Sequence, residues 1–333
     1  MKANRDLVIM GGYNPSLSAI RLLAMALIIM CHMCQYDNND WAWWLNIGVQ
    51  IFFILSGFLY GGKRIERPLE WIGKQFKKIL IPYYTFLLLA VLLYVAFSPE
   101  ALSPRNVVEA FFCVGVIEGI GHLWFVGYIL ICYLITPCLQ SIVSDLHNKD
   151  FGKSLLFILG LLAVYSVVGI CTHSYFRPGR ILCYVVGYLV ASYYQHYGNR
   201  TIYVGLILSF VLAVGSNSVF CSLKYAMRWD MMGPLVHLTD YSRLFLGLFM
   251  TLALLVAFRS MGEHGVLKAS DKISYEIYLV HQLFILSPFT LMSISGHWAV
   301  NLVTVLMAIC TSGYVLRRIS HDFIQSRRCK THL

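Results

Sequence analysis

The chain has 333 residues, of which 58% are hydrophobic and only 13% charged, with a mean hydropathy of +0.67 and a formal net charge of +10. No ordinary soluble domain reaches that apolar content, so the composition predicts an all-α, polytopic integral membrane protein. The positive charge is split among short loops, with no soluble basic domain to gather it, which argues against a nucleic-acid surface.

Apolar runs of about 20 residues predict ten spans. They lie near Leu17 to Gln35, Trp44 to Gly62, Ile79 to Phe97, Leu123 to Gln140, Ser154 to Cys171, Ile181 to His196, Ile202 to Phe220, Leu244 to Phe258, Ile273 to Leu291 and Trp298 to Leu316. The run from Val107 to Ile120 is too short and interrupted to cross, and suits a re-entrant or interfacial helix. Lys2, Arg5, the cluster Lys63, Arg64, Arg67, Lys74, Lys77 and Lys78, and the group Arg317, Arg318, Arg327, Arg328 and Lys330 fall on one side, with Lys149, Lys153, Arg200, Arg259, Lys268 and Lys272. Only Arg105, Arg177, Arg180, Lys224, Arg228 and Arg243 fall on the other. Because positive loops stay cytoplasmic, both termini are expected inside, as short tails of about 1–16 and 317–333 around one transmembrane domain. The first span is too long for a signal-peptide core and no small-residue cleavage site follows it, so it is expected to remain.

The ten cysteines lie almost entirely in apolar runs and are expected to act as small core residues rather than as disulfides. Cys31 and Cys34 bracket His32 as a CHMC string, but no second pair at metal-ligand spacing accompanies them, so no metal site is expected.

Within the first span, Arg21 and His32 interrupt an otherwise apolar run. Titratable side chains at membrane depth usually mark a pathway or a reaction site. Eleven residues at about 100° each return to within roughly 20° of the starting direction, so the two side chains share one helix face about 16 Å apart along the axis.

Further strings extend this pattern. NIGVQIFFILSGFLYGGK carries Gln50, Ser56 and Gly57; KQFKKILIPYY leads into the third span through Pro82; GHLWFVGYILICYLITP runs from Gly121 to Pro137; and SYEIYLVHQ runs from Ser274 to Gln282. Together with the Arg21 to His32 spacing, this set resembles the membrane-bound acyltransferase 3 family, bacterial integral-membrane enzymes that move acyl groups, commonly acetyl, onto sugars and other acceptors. The resemblance covers Arg21 to about Pro137 and Ser274 to Gln282, while the intervening spans match only in hydropathy. The family usually carries arginine in the basic segment, where this chain has Lys74, Lys77 and Lys78. Some members carry a fused hydrolase-like domain; this chain does not, so a stand-alone transferase is expected.

The resemblance implies an O-acyltransferase of the bacterial inner membrane. It would take an acyl group from cytoplasmic acyl-CoA, a donor substrate rather than a bound cofactor, to a hydroxyl of a cell-envelope saccharide or glycolipid. A polyanionic donor needs cations on the cytoplasmic side, a role available to Arg21, Lys74, Lys77 and Lys78. His32 would be the general base, because an imidazole titrates near neutrality, and an acyl-histidine intermediate stays open. Glu118 is a candidate to orient His32, and His122 to assist it or bind the acceptor. Gln50, Ser56, Trp124 and Tyr278 are candidate oxyanion donors or acceptor contacts. His281, in the late string, belongs to the packed interior or the acceptor site. Besides a membrane sensor without catalysis, the other function class that composition allows is a polysaccharide or lipid-linked sugar transporter or flippase. Such a protein would show paired interrupted helices in repeated halves, which this sequence lacks, and it would not bind CoA.

Overall fold

The computed structural model of the chain describes residues 13–147, 179–226 and 232–330, together with positions 156, 160 and 163. Among these residues every regular element is helical. Seven helical stretches are long and apolar enough to cross a bilayer: Pro15–Tyr36, Trp41–Tyr60, Pro68–Phe97, Gly121–Val143, Asn199–Leu223, Leu238–Ala257 and Trp298–His321. Each has at least 18 residues, which at 1.5 Å per residue approaches the thickness of the hydrocarbon core. The protein is therefore a multi-pass membrane protein, and these seven coincide with seven of the ten expected spans.

The other three expectations fare differently. Ile181 to His196 is helical, within Gly179–Tyr197, but is not among the seven. Ser154 to Cys171 lies outside the described residues apart from positions 156, 160 and 163. The expected span from Ile273 to Leu291 is corrected: the helix begins earlier, at Gly265, and stops at Val280, giving way to a 3-10 turn over His281–Phe284. The cause is local. His281 Nδ1 donates to Tyr278 O at 2.6 Å, placing a side-chain donor on a carbonyl of the last helical turn, and Pro288 further on lacks the N–H that a continuing helix needs.

The chain divides into two compact units. The first comprises Met1–Ala24, Ile47–Glu66 and Ile131–His264. It contains the start of α1 (Pro15–Tyr36), α3 (Ile47–Tyr60), most of α6 (Trp124–His147), α7 (Gly179–Tyr197), α8 (Asn199–Ala226) and α9 (Met232–Ala257). Here α3 and α7 meet backbone to backbone: a Cβ at Gly57 would collide with Tyr184 O, one at Gly61 with Tyr188 O, and one at Gly187 with Ile54 O. Small residues four apart let membrane helices approach this closely, where dispersion replaces the absent hydrophobic drive. The pair Thr136 and Tyr184, with hydroxyls 2.6 Å apart, ties α6 to α7, and Ser16 Oγ donates to Phe258 O at 2.8 Å.

The second unit comprises Met25–Asn46, Arg67–Leu130 and Gly265–Leu333. It contains the end of α1, the short α2 (Trp41–Leu45), α4 (Pro68–Phe97), α5 (Pro104–Phe111), the first turns of α6, α10 (Gly265–Val280) and α11 (Trp298–Lys330). After α1 the chain reverses through Asn38, whose φ of 52° is one an asparagine tolerates. Cys31 Sγ then donates to Ala42 O at 3.2 Å, fastening α2 beside the last turns of α1 and giving Cys31 a structural task. Tyr83 and Tyr84 of α4 donate to Ala110 O and Phe111 O at the end of α5, at 2.5 and 3.0 Å. This holds α5 as a short helix followed by turns to Ile120, in keeping with the expectation that this stretch does not span.

Candidate active site

The second unit gathers an unusual density of polar side chains at the end of α1, the turn before α6 and the end of α10. His32 and Gln35 lie one turn apart on α1, a spacing that puts them on one face. The contact is short: His32 Nδ1 and Gln35 Oε1 are 2.6 Å apart. With Nδ1–H donating to that oxygen, Nε2 carries the lone pair, and it makes no hydrogen bond among the described residues. His32 is half-buried, so one side of its ring is walled by protein and the other open.

The wall is made by His122, His281 and Gln282. His122 sits on the 3-10 turn Gly121–Leu123 and is buried. Its backbone N–H donates to Gln282 Oε1 at 2.7 Å, which fixes the orientation of that carboxamide because a main-chain N–H can only donate. The His122 ring lies between two acceptors, with Nδ1 at 2.7 Å from Gln282 Oε1 and Nε2 at 2.9 Å from Leu279 O. Tyr278 Oη donates to His122 O at 2.6 Å. A neutral imidazole has one N–H, so one of these two ring contacts is a hydrogen bond, and His122 is otherwise held through its backbone N–H and carbonyl. The fixed Gln282 turns its Nε2 toward His32 Nδ1, at 3.4 Å; with Nδ1–H directed at Gln35 this is a close approach of two donors and not a hydrogen bond, between residues 250 apart in sequence.

His281 completes the group. Its ring centroid lies 5.1 Å from that of His32 and 4.6 Å from that of His122. The three imidazoles meet ring to ring, and among the described residues no group of three or more His, Cys, Asp or Glu side chains is placed to hold a metal ion.

The remaining expected residues fall as follows. Glu118 is exposed, and it is its carbonyl that is used, accepting from Tyr94 Oη at 2.7 Å; the orienting contact on His32 comes from Gln35 instead. Trp124 is half-buried and meets Tyr128 edge-on at 5.5 Å. Lys74 is exposed and pairs with Glu70 at 2.7 Å, Lys77 is exposed, and Lys78 acts electrostatically on Glu276, whose Oε1 lies 3.3 Å from Arg317 Nη1.

Arg21, Gln50 and Ser56 belong to the first unit. Arg21 is half-buried on α1 and acts electrostatically on Tyr60. Gln50 packs its Cβ toward Gly247, and its Oε1 is buried without a partner. Ser56 is half-buried beside Gly57 on α3.

Gln35 and Gln282 are the site residues that the sequence reasoning missed. Gln35 was accessible, one turn beyond His32. Gln282 closes the SYEIYLVHQ string, but its task depends on a fold that brings position 282 to positions 122 and 32.

A multi-pass helical protein with a buried imidazole cluster at the end of its first helix fits a membrane transferase. The family model for the acyltransferase domain matches residues 14–317, so the chain belongs to that family and is an acyltransferase. Among curated proteins, it is 29% identical over 179 residues to peptidoglycan O-acetyltransferase OatA of Listeria monocytogenes, a match covering 45% of this chain and 28% of that protein. The chain thus spans little more than a quarter of the length of the relative it matches. No solved structure matches it.

Proposed function

We propose that the protein is an O-acyltransferase of the bacterial inner membrane that moves an acyl group, acetyl in the first instance, from cytoplasmic acyl-CoA to a hydroxyl of a cell-envelope saccharide. The acyl class and the glycan acceptor follow the activity for which the Listeria relative is named, and the cytoplasmic donor side follows the distribution of positive loops, with both termini inside. Family membership favours this reading over a transporter.

The observation that carries it is the 2.6 Å contact between His32 Nδ1 and Gln35 Oε1, which leaves Nε2 as an unbonded base on a half-buried ring. In the reaction, His32 Nε2 takes the proton of the acceptor hydroxyl as its oxygen attacks the thioester carbon. The C–S bond breaks, and the departing thiolate receives that proton from His32. Gln35 keeps the ring in the tautomer that the first step needs, and Gln282 with His122 fixes the wall against which it turns. The exposed Lys77 is the side chain we assign to the donor's phosphates. Lys77 suits this better than Lys74, which Glu70 already neutralises.

Transfer of label from acetyl-CoA to the saccharide fraction of membranes containing the full chain tests the reading. His32→Ala is expected to lower the rate by about 10²- to 10⁴-fold, the usual contribution of a positioned base. Full retention of transfer would overturn the assignment.

A further inference from the structure

One group in the imidazole cluster is left unused by the reaction just described. His281 has no solvent exposure, and its Nδ1–H donates to Tyr278 O at 2.6 Å. That bond fixes the tautomer, so Nε2 is a lone pair, and Nε2 is buried with no hydrogen-bond partner. A buried acceptor left unsatisfied costs about 1–3 kcal/mol, so a packing role alone would be served better by an apolar ring. The donor it lacks has to come from the reaction.

The neighbours identify that donor. The titratable groups facing His281 are His32 on α1, His122 on the turn before α6 and Tyr278 on α10; no carboxylate, lysine or arginine among the described residues acts on it. Tyr278 Oη is spent on His122 O, and both His122 nitrogens already face protein acceptors. His32 remains, with its centroid 5.1 Å away and its plane tilted by 34°. Two imidazoles sharing a proton edge to edge, with an N···N separation of about 2.9 Å, have centroids about 5 Å apart, so rotation of the His32 side chain is enough to make the contact.

We propose that His281 is a positioning residue for His32, its Nε2 accepting a hydrogen bond from His32 Nε2–H once the acceptor's proton has arrived there. This rests on His32 being the base. The acceptor O–H breaks, the proton resides on His32 within a hydrogen bond to His281, and it then leaves with the thiolate; no redox change occurs and no further reactant is needed. The bond stabilises the imidazolium form of His32 and so strengthens it as a base. Below the pKa of His32 the base is already protonated, so the rate falls on the acid side. By raising that pKa, His281 places the acid limb at higher pH than His32 alone would.

Two replacements separate this role from space-filling. His281→Gln puts an amide oxygen near the position of Nε2, whereas His281→Phe keeps a ring and removes the lone pair. The readout is label transfer from acetyl-CoA to the membrane saccharide fraction by the full chain, followed against pH in permeabilised membranes. The Gln variant is expected to stay within about fivefold of the parent and to keep the acid limb. The Phe variant is expected to lose at least about 30-fold at the plateau and to shift the acid limb about one pH unit lower, equivalent to a tenfold change in proton affinity. A Phe variant as active as the Gln variant, or an acid limb that stays put in both, overturns the proposal. If the Phe protein does not accumulate, His281→Ala with added imidazole decides: restored rate and acid limb support the role, and no restoration overturns it. Retained transfer in His32→Ala is a failure of the base assignment itself, whereas an inactive His32→Ala beside an unaltered His281→Phe is a failure of this inference alone.

Discussion

The two units solve opposite problems with the same apolar vocabulary. In the first, α3 and α7 are brought together by removing side chains: Gly57, Gly61 and Gly187 leave backbone against backbone. In the second, the ends of α1 and α10 and the turn before α6 are brought together by adding polar side chains, with Gln282 hydrogen-bonded to His122 and turned toward His32. The contrast separates two strings that looked alike as family features. FFILSGF is a packing device centred on Gly57, and SYEIYLVHQ is a polar one centred on its last two residues. In the first unit a lost contact should therefore act through folding, and in the second it should act on chemistry beyond what any loss of stability explains.

Gly57→Leu should give the largest effect and the least specific one. A side chain there meets Tyr184 O, main chain that cannot move aside without separating α3 from α7. Overpacking of this kind costs about 1–3 kcal/mol or more, and the folded fraction recovered in detergent, read by size-exclusion profile and thermal unfolding, should fall sharply. A variant recovered at parental yield and melting temperature would remove the packing assignment.

Gln282→Leu is the intermediate case. It leaves the His122 main-chain N–H without its acceptor and should lower stability by about 1–3 kcal/mol. It also frees the wall behind His32, so acetyl transfer should fall at least about tenfold, more than that loss of stability explains at temperatures well below unfolding. Transfer unchanged beside a lowered melting point would confine Gln282 to the scaffold.

Glu118→Gln should do least. The side chain is exposed, and what the fold uses at this position is the carbonyl that receives Tyr94 Oη. Transfer within about twofold of the parent is expected, and a loss of 100-fold or more would return the carboxylate to the catalytic set.

How far the sequence disclosed this follows from the range of each interaction. Hydropathy marked α1, α4, α8, α9 and α11 because a spanning helix declares itself in about 20 consecutive residues. It misjudged the ninth expected span, where the apolar run from Ile273 continues past a helix end made by one side-chain bond, His281 to Tyr278 O. His32 was legible because an imidazole in an apolar run is costly wherever it points. Gln35 was one turn away and went unread, since a glutamine near a helix end is ordinary until its partner is known. Gln282 and the close approach of Gly57 to Tyr184 were out of reach, because each depends on a residue more than 100 positions distant.

The central claim is that His32 is the base of acyl transfer and not a binding or folding residue. Purified full-length protein carrying His32→Ala, assayed side by side for acetyl-CoA binding and for acetyl transfer, tests it most directly. The account predicts binding within about twofold of the parent, an unchanged melting temperature, and transfer reduced at least about 100-fold. Transfer at the parental rate, or a loss of transfer matched by an equal loss of acetyl-CoA binding, would contradict it.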